Sequence, residues 1–182
     1  MEQLEKEARE LADQGVKELI LVAQETTLYG KDLYGEKKLP ELLRRLAAVS
    51  GIQWIRLQYC YPEEITDELI DVIADEPKIV KYLDIPLQHV SKRILRAMHR
   101  PGDGAEFTRL IEDMRRRIPG LVLRTSLIVG LPGETEDEFA ELCEFLQNVA
   151  IERVGVFEYS PEEGTEAAEM PDQIDAETKQ NR

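Results

Sequence analysis

Leu121-Val122-Leu123-Arg124-Thr125-Ser126-Leu127-Ile128-Val129-Gly130-Leu131-Pro132-Gly133-Glu134-Thr135-Glu136-Asp137-Glu138-Phe139 is the stretch on which the fold turns. From Val122 to Val129 it is apolar and β-rich, and Gly130-Leu-Pro-Gly133 then breaks the run. Thr135 followed three residues later by Glu138 is a capping box, and Phe139, Leu142, Cys143 and Leu146 recur behind it at helical spacing. A strand, a tight turn and an amphipathic helix in that order make half of a βαβ unit.

The same order repeats on either side. Glu18 to Gln24, Gln53 to Tyr59 and Tyr82 to Gln88 upstream, and Arg153 to Tyr159 downstream, are short, apolar and β-rich. Helical patterns separate them. Leu39, Leu42, Leu43 and Leu46 share a face, with Pro40 early in the helix and Gly51 beyond its end. Thr66 can cap a helix carrying Leu69, Ile70 and Ile73, and Ser91 another carrying Ile94, Leu95 and Met98. Phe107, Leu110, Ile111 and Met114 form a stripe ended by Pro119-Gly120. Strands alternating with helices of this length predict parallel pairing and an α/β fold. The strands read as apolar on both faces, as buried parallel strands do. A partly closed barrel and an open doubly wound sheet both satisfy this pattern.

The chain opens on a helix, Glu2 to Asp13, with Leu4, Ala8, Leu11 and Ala12 inward and Gly15 as its stop. A βα architecture that begins on α implies a first strand missing from this chain. Beyond Pro161 the chain is acidic and thinly apolar, with one helical stretch from Asp175. The expected organisation is therefore a main body over 1–160 and an acidic extension over 161–182, with no internal repeat.

Composition narrows the function. The chain has 182 residues, 42% hydrophobic and 33% charged, which suits one folded core. Its formal net charge is −14, and the only dense basic run, Arg115-Arg116-Arg117, falls at a helix end where it complements the dipole. Nucleic-acid binding by clustered cations is not expected, and a small cofactor or a basic protein is the better partner. No apolar run approaches the roughly 20 residues of a membrane helix. The charged start, Met1-Glu-Gln-Leu-Glu-Lys, is no signal peptide. Two cysteines far apart, Cys60 and Cys143, give no disulfide framework, so a reducing cytoplasm is the expected location.

In parallel α/β folds, sites form at the carboxyl ends of the strands. Those positions hold Gln24-Glu25-Thr26-Thr27, Tyr59-Cys60-Tyr61-Pro62, Gln88-His89, Gly130-Leu-Pro-Gly133-Glu134-Thr135 and Tyr159-Ser160-Pro161. The glycine turn is also what a well-made βα corner needs, and no lysine follows it to make a phosphate loop. His89 also reads as a satisfied loop histidine, and His99 as a cation near a helix end. Cys143 falls on an apolar helix face. Cys60 has no nearby His or Cys partner, so it suits neither a metal nor a nucleophilic role. Arg124, alone in an apolar run, needs a partner: either a strand-end carboxylate such as Asp84 or an anionic ligand group.

Taken in order, these motifs resemble one family. Leu21-Val-Ala-Gln24-Glu25-Thr26-Thr27-Leu-Tyr29-Gly30-Lys-Asp32-Leu-Tyr34-Gly35 resembles the second-strand segment of radical S-adenosylmethionine methylthiotransferases of the RimO type. Tyr82-Leu-Asp84-Ile-Pro86-Leu-Gln88-His89, with Met98-His-Arg100, resembles their fourth-strand motif, and Leu123 to Thr135 their fifth. Phe157-Glu-Tyr159-Ser160-Pro161-Glu162-Glu163-Gly164-Thr165 resembles the sixth. The transfer-RNA branch usually carries Asn-Val-Asn where this chain has Glu25-Thr26-Thr27, which points to the branch that modifies a ribosomal protein.

The resemblance implies a partial parallel (β/α) barrel of the radical SAM type, of which this chain holds strands 2 to 6 within 1–160. It implies two cofactors, S-adenosylmethionine and 4Fe-4S clusters whose ligands lie outside this chain. In the family, a cluster held by a Cys-x-x-x-Cys-x-x-Cys loop reduces S-adenosylmethionine to a radical that abstracts a substrate hydrogen. The product is a methylthio group on the β-carbon of an aspartate in a small-subunit ribosomal protein. The fragment alone is expected to be inactive. The alternatives are a transfer-RNA methylthiotransferase of the MiaB type and a non-catalytic α/β ligand-binding scaffold. On this resemblance Gln24 and Glu25 are expected near the amino-acid moiety of the cofactor or the substrate, and Gln88 near its ribose or carboxylate. Arg124 is expected on its carboxylate, and Ile128 and Gly130 against adenine. No catalytic or metal-ligating residue is assigned within the chain.

Overall fold

The computed structural model describes all 182 residues, which divide into two compact units, Met1–Ile85 with Glu112–Leu123, and Pro86–Ile111 with Arg124–Arg182. No helix is long and apolar enough to cross a membrane.

In the first unit, α1 (Glu2–Asp13) leads to β1 (Glu18–Leu21), a short 3-10 turn (Thr26–Leu28) and the single-turn α2 (Lys31–Tyr34). Then come α3 (Leu39–Ala47), β2 (Trp54–Leu57), α4 (Asp67–Asp75) and β3 (Ile79–Asp84). β1 pairs with β2 in parallel from Glu18 opposite Trp54 to Leu21 opposite Leu57, and β2 pairs with β3 in parallel. The core lies between these strands and the inner faces of α3 and α4, where Leu43, Leu46, Ile55, Leu57, Ile73 and Leu83 are buried. Each such aliphatic side chain contributes about 1.5–3 kcal/mol through burial. Thr66 caps α4 by accepting from the Leu69 amide at 3.2 Å. Leu4, expected to face inward from α1, is 38% exposed instead. It borders an apolar groove of about 480 Å³ that runs along β1 between α1 and α3.

The remaining elements are α5 (Lys92–Ala97), α6 (Gly104–Arg117), β4 (Val122–Val129), α7 (Glu136–Val149), β5 (Arg153–Glu158), the single-turn α8 (Glu166–Glu169) and α9 (Ala176–Asn181). β4 and β5 pair in parallel, and the strands follow one sheet order, β1-β2-β3-β4-β5, with β1 and β5 at its edges. Ser91 caps α5, Asp175 caps α9, and Thr135 with Glu138 closes a capping box on α7. Of the basic run at the end of α6, Arg117 pairs with Asp67, Asp71 and Asp113.

Four expectations change. The strand expected over Tyr82 to Gln88 is Ile79–Asp84: Pro86 has no amide to donate, and Gln88 takes φ +68, so that only an isolated bridge forms there, with Leu127. β1 ends at Leu21 because the following residues turn into the segment capped by Glu25. The strands are not apolar and buried on both faces. β4 alternates buried and half-buried residues, and β5 leaves Val154, Val156 and Phe157 39–55% exposed. On α7 the buried residues are Leu142, Phe145 and Val149, while Cys143 is only half-buried.

Candidate functional site

Gln24 and Glu25 follow β1 in the first unit. Gln24 is exposed, whereas Glu25 folds back as a cap, its Oε1 accepting from the Thr27 amide at 2.9 Å, from the Thr27 hydroxyl and from the Tyr61 amide at 3.4 Å. The Thr26 amide donates to the Tyr59 carbonyl at 3.0 Å, and the Thr26 hydroxyl to the Gln58 carbonyl at 2.6 Å. The ends of β1 and β2 are thus tied together. The second oxygen of Glu25, Oε2, is buried without a hydrogen-bond partner. Burial pushes the Glu25 carboxyl above its usual range, against the pull of its bonds from Tyr61 and Thr27. Cys60 lies nearby, fully buried, its amide donating to the Asp84 carbonyl at 2.9 Å. Burial, then the Glu25 and Asp84 charges, push its thiol up to about 12.

The second unit holds Gln88, Arg124, Ile128 and Gly130. Gln88 donates its amide to the Ser126 carbonyl at 2.9 Å and accepts from the Ile128 amide at 2.8 Å. Its backbone is therefore locked to β4, and the half-buried side chain is not needed for that pairing. Arg124, Ser126 and Ile128 share one face of β4, opposite Arg153, Gly155 and Phe157 of β5. The Arg124 guanidinium lies beside Gly155, where a Cβ would stand 3.8 Å from Arg124 Nη2, an ordinary contact distance. Ile128 and Phe157 make an apolar pair beside it. The register of Phe157 with Ile128 sets its ring beside a candidate cofactor residue, a placement the linear motif did not reveal.

Gly130 adopts φ +75 and is buried. Its amide donates to Glu134 Oε2 at 2.7 Å, and Glu134 Oε1 accepts from Arg182 Nη1 at 2.8 Å. His89 is fully buried, its Nδ1 accepting from the Ser91 amide at 2.9 Å, which puts the proton of the neutral ring on Nε2, 4.0 Å from Glu134 Oε2. Burial drives the His89 pKa down to about 4, so the ring is neutral at pH 7. Glu138 accepts from the Thr135 amide and hydroxyl, the Ser91 hydroxyl and Arg93, and Arg93 also donates to the Gly133 carbonyl at 2.6 Å. His99 is largely exposed and stands 3.1 Å from Glu166. Glu134 belongs to the strand-end turn already singled out, whereas Lys179 and Arg182 carry no sequence signal beyond ordinary charge; the structure buries all three side chains.

The parallel α/β sheet fits many functions, and comparison with known proteins places the chain in one family. The chain belongs to the Radical SAM superfamily, whose model matches residues 1–146. It is 59% identical over 98% of its length to the ribosomal protein uS12 methylthiotransferase RimO of Lachnoclostridium phytofermentans, and 54% identical over 100% to that of Desulforamulus reducens. It spans 41% of the length of each. Among solved structures, coproporphyrinogen III oxidase (HemN) from Escherichia coli, a radical SAM enzyme, covers 99% of this chain with 42% of its own at TM-score 0.74 and 20% identity. The radical S-adenosylmethionine methyltransferase TsrM from Kitasatospora setae covers 84% of this chain with 29% of its own at TM-score 0.63 and 19% identity. These likenesses make the sheet that of a partial radical SAM barrel.

Proposed function

We propose that this chain is the S-adenosylmethionine-binding part of a cytoplasmic enzyme that adds a methylthio group to the β-carbon of an aspartate in ribosomal protein uS12. The observation that carries the reading is the 54–59% identity to relatives of that name, running over the whole of this chain. Glu25-Thr26-Thr27 after β1 supports the ribosomal-protein branch over the transfer-RNA one. On this reading residues 1–160 belong to the barrel, and 161–182 lead toward a substrate-docking domain.

The residue types suit the cofactor. The unpartnered Glu25 Oε2 suits an ammonium group, and Gln24 offers an amide beside it. In the other unit, the Gln88 amide suits a ribose hydroxyl or carboxylate, the Arg124 fork a carboxylate, and Ile128 with Gly130 an adenine face. The chain's own thiols do not suit an iron–sulfur cluster: Cys60 is buried with its proton held, and no three His, Cys, Asp or Glu side chains gather to hold a metal. When bound, S-adenosylmethionine with a reduced 4Fe-4S cluster supplies the hydrogen-abstracting chemistry, while these residues hold the cofactor and exclude water.

The test is the full-length enzyme, cluster-loaded under anaerobic conditions, with a reductant, S-adenosylmethionine, a sulfur source, uS12 and transfer RNA. Mass spectrometry of uS12 should find one methylthio group on an aspartate. Modified transfer RNA with untouched uS12 would move the chain to the other branch.

A further inference from the structure

The turn between β4 and α7 is held from outside itself. A strand–helix corner needs only its glycines and a cap, and Thr135 with Glu138 already provides the cap. Yet the chain also buries a carboxylate, an ammonium and a guanidinium around it, each costly to desolvate unless paired. Glu134, 3% exposed, sits inside the turn and joins the Gly130 amide to Arg182, whose side chain is 5% exposed. Lys179, 9% exposed, lies directly over Gly130: a Cβ there would fall 2.5 Å from Lys179 Cγ. The Lys179 ammonium donates to the Tyr159 carbonyl at 3.0 Å and stands 5.0 Å over the Tyr159 ring. The Gly133 amide donates to the Asp172 carbonyl at 2.9 Å. The space that glycine keeps open at 130 is therefore taken by a side chain of α9.

We propose that the segment Asp172–Arg182 is a strap that shapes the Gly130–Glu134 turn for the adenosine part of S-adenosylmethionine, with Glu134, Lys179 and Arg182 as its positioning residues. The proposal rests on the reading of Ile128 and Gly130 as cofactor contacts. A carboxylate that accepts from both a backbone amide and a distant guanidinium transmits the placement of α9 to the turn within hydrogen-bond tolerance. His89 Nε2 stands 4.0 Å from the same carboxylate, too far for a hydrogen bond, and is buried without a partner.

The test uses full-length, cluster-loaded enzyme with the variants Arg182→Ala, Lys179→Met and Glu134→Gln, and Arg117→Ala as a control at an ion cluster of the other unit. Lys179→Met keeps the aliphatic packing if the charge removals harm folding. Two quantities are read: hydrogen exchange of the Gly130 amide without cofactor, and S-adenosylmethionine affinity by calorimetry. The strap variants should exchange Gly130 faster and lose roughly tenfold in affinity, the scale of one charged hydrogen bond, while Arg117→Ala changes neither. Unchanged exchange at Gly130 would overturn the strap, as would faster exchange with unchanged affinity. A parent enzyme that binds no S-adenosylmethionine would overturn the cofactor reading and the strap together; a parent that binds it, with indifferent variants, sinks the strap alone.

Discussion

Arg124 stands in β4, half-buried, on the face it shares with Ser126 and Ile128, with its guanidinium beside Gly155. A planar fork can meet a carboxylate with two parallel bonds, which an ammonium cannot copy. Arg124→Lys in the full-length enzyme should therefore weaken S-adenosylmethionine binding by roughly 1.5–3 kcal/mol while the fold survives. Calorimetric titration of the cluster-loaded enzyme checks this; unchanged affinity with a lowered melting temperature would make Arg124 a structural residue.

Helix α7 shows how one element is built from local signals and then put to use. Thr135 and Glu138 bond each other's backbone amides, and the same carboxylate receives Ser91 and Arg93 from α5 and its cap. Desolvation works to raise the Glu138 pKa, but bonds from Arg93, Thr135 and Ser91 win and bring it to about 2. A depressed carboxyl stabilises the fold above its ordinary value near 4.5, and that contribution is lost as pH falls toward about 2. Thr135→Ala should cost about 1 kcal/mol at neutral pH. It also removes one of the bonds that hold the Glu138 proton off, so the acid-unfolding midpoint should move to higher pH. Thermal and acid melts followed by circular dichroism read both; an unshifted acid midpoint would mean that the Thr135 hydroxyl contributes nothing to holding the Glu138 proton off.

At the scale of the whole molecule, β1 is an edge strand with Ile20 52% exposed and Val22, just past its end, 61% exposed, beside the apolar groove along α1 and α3. A parallel edge with unpaired backbone groups and apolar side chains is a template for another strand. The 182-residue chain by itself should self-associate through β1, with a sedimentation coefficient that rises with concentration. Val22→Lys, which places a charge on that edge, should suppress the association; equal association in the variant would put the contact elsewhere, with exposed β5 as the next face to substitute.

Local chemistry marked the caps at Thr66, Ser91 and Thr135, and a helix beginning at Asp175. Thr66, Ser91, Thr135 and Asp175 each accept a bond from the amide three residues on, because a cap depends only on neighbours in sequence. The alternation of strands and helices, and with it the parallel sheet, follows from periodicity in the same way. The resemblance of the strand-end motifs to one family carried the rest of the functional reading. Where β3 stops could not be read from Tyr82 to Gln88, since the positive φ at Gln88 serves its bonds to β4, far along the chain. Nor could the burial of Glu134, Lys179 and Arg182, which look like surface charges in any linear window. Only the return of α9 over Gly130 turns them into a buried network, because pairing between residues 48 apart, as in Glu134 with Arg182, is a property of the fold and not of any stretch within it.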